Sequence, residues 1–216
     1  MLNVKNIFPY VAAITVLIGF LARHEVAYSE SIPIPHEVVS WKLGGKTGNV
    51  KSQYNYTTNT GYSLLNVQHG QYLTWGKQKF GVNLVFANSD SDKKVHFASA
   101  DKEERDILTG ENVAFGIGGG EAYLCYADRK VGINLVWRKA PCYEWRLYDA
   151  SGDGGKTISV GSLIAIGNIN VKPEADFLIY LDRVGADVGW TSSPGWSDKL
   201  SAAAKTGLSA AKKVLF

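Results

Sequence analysis

The chain is poor in the residues that carry most site chemistry. Its 216 residues include two cysteines, four histidines and one methionine. The histidines are scattered and the cysteines form no Cys-x-x-Cys pair, so the spacing of a transition-metal site is absent. The chain also lacks a Gly-x-Ser-x-Gly nucleophile motif and a suggestively spaced pair of acids. We therefore expect no metal, no cofactor and no enzymatic activity.

Charge of one dominant sign is also missing. The chain has 23 Lys and Arg against 20 Asp and Glu, a formal net charge of +3, and the two signs are interspersed. Domains that bind nucleic acid usually present a dense basic patch or stripe. We therefore do not expect nucleic acid as a partner.

Only one long apolar run is present, at residues 7–22 behind Lys5. Its sixteen residues suit the core of a secretory signal peptide better than a membrane-spanning helix, which needs about twenty residues. We expect a leader at 1–29 cleaved after Ser29, a secreted chain, and a linker at 30–39. An uncleaved membrane anchor is the alternative.

The two cysteines, Cys125 and Cys142, could pair in an oxidising compartment. A disulfide between them would close a short loop and add about 3 kcal/mol of stability by restricting the unfolded chain. Two buried free thiols are the alternative.

The chain is rich in internal repetition. A phrase of seven residues occurs as VGINLVW at 131–137, FGVNLVF at 80–86 and VGADVGW at 184–190. Its alternation is the two-residue period of a strand with one buried face. In the first copy we expect the buried face to hold Phe80, Val82, Leu84 and Phe86. The second position of each phrase is a glycine: Gly81, Gly132 and Gly185. These glycines are 51 and 53 residues apart, a spacing long enough for a unit of several strands.

Each phrase follows a short aromatic strand and a polar turn, as in YLTWGKQK and YLCYADRK, which predicts one hairpin per unit. No long helical pattern lies between the strands. Four strands per unit over residues 40–196 therefore predict an all-β domain with one shared core. Three such units look like a β-trefoil, and a β-sandwich is the alternative. Lone aromatic residues mark the unit boundaries, at Trp41, Phe97, Trp145 and Trp196.

One boundary carries a resemblance to a known family. Tyr143-Glu144-Trp145, followed by Leu147, resembles the Gln-x-Trp signature that ends each repeat of ricin-B-type lectin domains. The repeated Tyr-Leu-x-Tyr phrase is similar to the looser, fascin-like trefoils. The resemblance covers about three quarters of the chain and implies a β-trefoil binding module for carbohydrate. The chain departs from the signature at the Gln place, which is held by Val39, Val95, Tyr143 and Pro194.

The hairpin turns supply the candidate ligand-binding residues. An aromatic ring for stacking, a carboxylate that accepts from sugar hydroxyls and a guanidinium that donates are what a shallow polar pocket requires. An exposed hairpin end with a local ion pair is the alternative. The two triplets are Tyr126, Asp128 and Arg129 in the second unit, and Tyr180, Asp182 and Arg183 in the third; the first unit has Trp75, Lys77 and Gln78 instead.

Asn83, Asn134 and Asp187 also recur in register. They are either hydrogen-bonding groups of a sugar site or, as the position beside glycine favours, residues that satisfy the backbone of a turn. The stretch DASGDGG at 149–155 begins like a calcium loop, but Val160 stands where the closing acid belongs. We expect a polar turn there.

The C-terminal segment 197–216 has a helical period with alanines between its leucines, which predicts an amphipathic helix. It could dock on the domain, or it could contact an acidic membrane or a partner. The leading hypothesis is a secreted, non-enzymatic, lectin-like protein that binds carbohydrate or a glycoprotein. The alternative is a protein-interaction or structural subunit of a larger extracellular assembly that uses the trefoil and this helix.

Overall fold

A computed structural model describes residues 31–54, 61–90, 94–118, 122–130, 132–171, 176–181 and 187–192. The predicted leader, the predicted C-terminal helix, Asp182 and Arg183 lie outside the described residues. Within the described ranges the chain forms twelve β-strands and one 3-10 turn, His36–Val38. The all-β prediction is therefore confirmed.

The strands are short, as the spacing of glycines and polar turns requires. In chain order they are β1 Trp41–Gly44, β2 Ser63–Asn66, β3 Gln71–Trp75, β4 Leu84–Ala87, β5 Val95–Ser99, β6 Val113–Ile117, β7 Tyr123–Tyr126, β8 Leu135–Arg138, β9 Trp145–Tyr148, β10 Leu163–Asn168, β11 Leu178–Tyr180 and β12 Val188–Trp190.

Ten of the strands form one curled antiparallel sheet. Its order is β4-β3-β2-β1-β10-β9-β6-β7-β8, and β5 pairs with β6 beside this path. The remaining two strands, β11 and β12, pair with each other, and a bridge between Gly167 and Phe177 joins them to the end of β10.

The same connections are made three times along the chain. Strands β1 and β2, β5 and β6, and β9 and β10 pair as neighbours, and each pair is followed by a hairpin, β3–β4, β7–β8 or β11–β12. Three links join these groups: β1 pairs with β10 through Trp41–Ile164 and Lys42–Leu163, Tyr62 bridges to Val95, and Val113 pairs with Trp145.

Three of the four lone aromatic residues of the repeat lie in the core, and the fourth, Trp196, lies outside the described residues. Trp41, Phe97 and Trp145 are fully buried. The Trp41 indole N–H donates to the Leu178 carbonyl at 2.7 Å, and the Trp145 indole N–H donates to the Leu124 carbonyl at 2.6 Å. Each buried indole thereby has the hydrogen-bond partner that its donor requires.

The predicted buried face of the first repeated phrase is wrong at one position. Val82 and Leu84 are buried, but Phe80 is 68% exposed. Strand β4 begins only at Leu84, and the backbone takes positive φ at Gly81 and Asn83. The alternation of a strand does not extend through such a turn, so Phe80 is directed away from the core.

The segment predicted as a linker packs against the domain. Ile32 and Ile34 contact a second buried cluster that includes Tyr148 and Phe177. The Ile32 N–H donates to the Gly152 carbonyl at 3.1 Å. Gly152 has a φ of +72°, a conformation that glycine adopts without strain.

Candidate functional site

The hairpin between β7 and β8 brings one predicted triplet together. Tyr126 ends β7 and is half-buried, while Asp128 and Arg129 are exposed at the tip. The Asn134 side chain closes this tip: its Oδ1 accepts from the Arg129 backbone N–H at 3.2 Å, and its Nδ2 donates to the Tyr126 hydroxyl at 3.4 Å. The Arg129 guanidinium donates to the Leu135 carbonyl at 3.2 Å.

The first hairpin is closed in the same way. The Gln78 backbone N–H donates to Asn83 Oδ1 at 3.0 Å, and its side-chain amide donates to the Leu84 carbonyl at 2.7 Å. Gln78 thus makes the two bonds that Arg129 makes in the second hairpin. Asn83 and Asn134 therefore satisfy the backbone of a turn, the interpretation that their position beside glycine favoured.

Tyr180 of the second predicted triplet lies in a different setting. Its ring stacks on His69 with centroids 3.8 Å apart and planes 14° apart, and it meets Phe86 edge-on at 5.2 Å. Tyr180 therefore packs on the turn after β2 and on β4. Asp182 and Arg183, its partners in sequence, lie outside the described residues, so the arrangement of this triplet stays a prediction.

Glu144 supports the second hairpin, although no sequence pattern singled it out. Its carboxylate accepts from the Tyr126 backbone N–H, from Asn168 Nδ2 at 3.3 Å and from Asn170 Nδ2 at 2.6 Å. The residue ties the base of the hairpin to the turn after β10. In the sequence, Glu144 occupies the unspecified middle position of Tyr-Glu-Trp. Its partners are 18 to 26 residues away along the chain, so no local pattern connects them.

A disulfide joins Cys125 and Cys142, with their Cα atoms 5.7 Å apart. It holds the loop that carries Cys142 and Tyr143 against a small buried cluster with Ala98, Ala114 and Tyr123. The two cysteines therefore form the disulfide and are not two buried free thiols. The bridge fixes this loop directly beside β7, the first strand of the second hairpin.

His96 is buried in β5, two residues before Ala98 of this cluster. Its ring lies over Gly116, where an added Cβ would collide with it, and meets the Tyr123 ring edge-on at 5.4 Å. Burial lowers the pKa of His96 from 6.5 to about 4, because charging the imidazole would require desolvation of a cation. His96 is therefore neutral at physiological pH.

The stretch that begins like a calcium loop is a polar turn whose side chains bond to neighbouring protein groups. Asp149 Oδ1 accepts from the Ser151 backbone N–H at 2.9 Å, and Asp153 pairs with Lys156 at 2.6 Å and with Ser31 at 3.0 Å. Lys156 and Ser31 lower the pKa of Asp153. In the part of the chain that the structure describes, no group of three or more His, Cys, Asp or Glu residues could hold a metal ion.

Comparisons with family models, with curated proteins and with solved structures gave no match for this chain. Among the described residues, none belongs to a helix that is long and apolar enough to cross a membrane.

Proposed function

We propose that the strands form a β-trefoil. Six strands follow one another around a ring of pairings, β1-β2-β5-β6-β9-β10 and back to β1, and the β2–β5 link is the bridge between Tyr62 and Val95. Three hairpins extend from this ring. A closed six-stranded barrel with three hairpins and one shared aromatic core accounts for the threefold repetition of the sequence.

We further propose that this protein binds carbohydrate through its hairpin tips and has no enzymatic activity. The observation that carries the proposal is the tip of the second hairpin, where Asn134 fixes the backbone beside the Tyr126 hydroxyl. Asp128 and Arg129 are exposed on this fixed turn. A carboxylate and a guanidinium can bind the hydroxyls of one sugar ring together.

The fixed geometry of this tip favours binding. A loop that is already ordered loses little conformational entropy when a ligand arrives, so more of the contact energy appears as affinity. In the third hairpin, Asp182 and Arg183 would supply the polar groups, and Tyr180 would line the site from its stacked position on His69. Secretion also remains a proposal, and the Cys125–Cys142 disulfide is compatible with it, because disulfides persist in oxidising compartments.

A glycan-array screen of residues 30–216 tests this proposal, with an Asp128→Ala, Asp182→Ala variant beside the wild type. We expect binding to a defined set of glycans that the variant loses, because the carboxylates accept the sugar hydroxyl hydrogens. The melting temperature should stay near the wild-type value, since Asp128 is exposed. A Lys77→Ala variant changes the corresponding position of the first hairpin and serves as the matched control. Binding that the double variant retains would disprove the site.

A protein-interaction role is the second candidate. Val67 and Leu163 are 41% and 44% exposed and lie on the two sides of the start of β1, because the Val67 N–H donates to the Ser40 carbonyl and Leu163 pairs with Lys42. Apolar side chains that are exposed close to one another favour contact with a partner, whereas single ones are ordinary. Light scattering on the chain with and without residues 198–216 tests this role, and an unchanged oligomeric state and unchanged partners would exclude a part for the C-terminal segment.

A further inference from the structure

Phe80 is the most exposed large hydrophobic side chain of the described residues, at 68%. It lies at the tip of the hairpin between β3 and β4, directly after Lys79 and three residues after Lys77, and both lysines are exposed. The Lys79 ammonium lies 5.5 Å from the centroid of the Phe80 ring, a cation–π contact. The ring nevertheless stays mostly in water, and its burial against an apolar phase would be favourable.

The surrounding turn holds Phe80 in this exposed position. Gln78 is bonded to Asn83 and to the Leu84 carbonyl, so the turn cannot rearrange without the loss of these bonds. Val82, two residues after Phe80, is buried in the main core. The Val82 carbonyl accepts from the indole N–H of Trp137 in the second hairpin at 2.5 Å. The ring is thus displayed by a fixed turn and has no place in the core.

The second hairpin adds cations beside the first. The two hairpins contact each other, because the Trp137 indole N–H of the second donates to the Val82 carbonyl of the first, and Val82 and Ile133 are both buried in the main core. Arg129 and Lys130 are exposed at the second tip, beside Asp128. The described parts of the two tips therefore carry four cations, one carboxylate and one exposed aromatic ring.

We propose that this end of the molecule docks on an anionic lipid surface. Phe80 enters the boundary between headgroups and acyl chains, and Lys77 and Lys79 contact the lipid phosphates. A convex tip cannot bury its ring against a flat polar ligand, but a bilayer deforms around it. Anionic headgroups complement the surrounding cations, and apolar burial with basic flanks is the usual combination at membrane interfaces. This docking needs no sugar and thus goes beyond the proposed carbohydrate recognition.

Flotation of residues 30–216 with glycan-free vesicles tests the proposal. We expect binding to mixed phosphatidylcholine and phosphatidylserine vesicles, release at high salt, and little binding to phosphatidylcholine alone. Phe80→Ser should lower the partition coefficient about tenfold, the effect of losing most of one buried aromatic side chain. Lys77→Gln and Lys79→Gln should lower it about fivefold each.

Two control variants make matched changes elsewhere on the surface. Val67→Ser removes another exposed apolar side chain, and a Lys42→Gln, Lys46→Gln variant removes two other exposed charges. Both should bind vesicles like the wild type. Because the vesicles carry no sugar, their result is independent of the glycan-array result.

A second readout reports insertion directly. In a Phe80→Trp variant, brominated acyl chains should quench the added tryptophan fluorescence when the vesicles contain phosphatidylserine. Absence of wild-type binding to these vesicles would overturn the proposal. It would also be overturned if Phe80→Ser bound as well as the wild type, or if the protein bound soluble heparin but not vesicles, which would identify a sulfated polysaccharide as the partner.

Discussion

Acidification is expected to destabilise this fold through His96. Burial lowers the pKa of His96 from 6.5 to about 4, whereas the same residue in the unfolded chain titrates near 6.5. Between these values the unfolded state binds the proton and the folded state does not. The free energy of unfolding therefore falls as the pH falls from 6.5 towards 4, and it is highest above 6.5.

The size of this effect follows from the separation of the two pKa values. At 1.36 kcal/mol for each pKa unit, the difference between 6.5 and about 4 corresponds to about 3 kcal/mol. Such a loss is a large part of the stability of a single domain, which is typically about 5–15 kcal/mol. Protonation of His96 on unfolding should thus remove a substantial share of the stability by pH 4.

Urea denaturation at a series of pH values between 7 and 4 measures the effect. Carboxylates also change stability in acid, so the informative quantity is the difference between the wild type and a His96→Leu variant. That difference should shift by about 3 kcal/mol in favour of the variant across this range. The exposed His36→Gln variant is the matched control. If the wild type and His96→Leu lose stability in parallel, burial does not hold His96 neutral and the reasoning is refuted.

Three further predictions concern stability. Asn134→Ala should lower the free energy of unfolding by about 0.5–1.5 kcal/mol, because it leaves the second hairpin turn without its acceptor at an exposed site that water can reach; urea denaturation measures this, and an unchanged midpoint would contradict it. Cys142→Ser should cost about 3 kcal/mol, and reductant should lower the melting temperature of the wild type but not of the variant. Glu111→Gln should cost about 3–5 kcal/mol, because Glu111 is buried, binds the Arg105 guanidinium and raises its pKa. A Lys51→Gln change at an exposed ion pair should cost less than about 1 kcal/mol, and equal losses in the two variants would refute the distinction.

The sequence pattern predicted those features that depend on local alternation. Leu84 faces the core as expected, because β4 begins there and the two-residue period of a strand applies. Phe80 does not, since the left-handed backbone at Asn83 and the positive φ of Gly81 end the alternation. Val82 lies within the turn and is buried as expected, but the strand period does not account for its burial. A period read across a turn therefore does not determine which side a residue faces.

Features that depend on distant contacts could not be predicted. Glu144 bonds to residues 18 to 26 positions away, and His96 is neutral because it is buried over Gly116 and against Tyr123. No local sequence pattern predicts either role. The candidate ligand residues are an intermediate case, since the sequence places Tyr126, Asp128 and Arg129 on one turn, but the bonds that fix that turn appear only in the fold.

The two described hairpins provide a way to separate loop closure from ligand binding at Arg129. Gln78 makes the same backbone and side-chain bonds in the first hairpin that Arg129 makes in the second. Loop closure therefore needs an amide-length donor and no positive charge. Arg129→Gln should keep the turn and the melting temperature near their wild-type values, while it removes the guanidinium that could donate to a sugar hydroxyl. If the second tip is the site, this variant loses glycan binding as Asp128→Ala does. If Arg129→Gln binds glycans like the wild type, Arg129 acts only in closing the turn, and the ligand contacts must come from other residues.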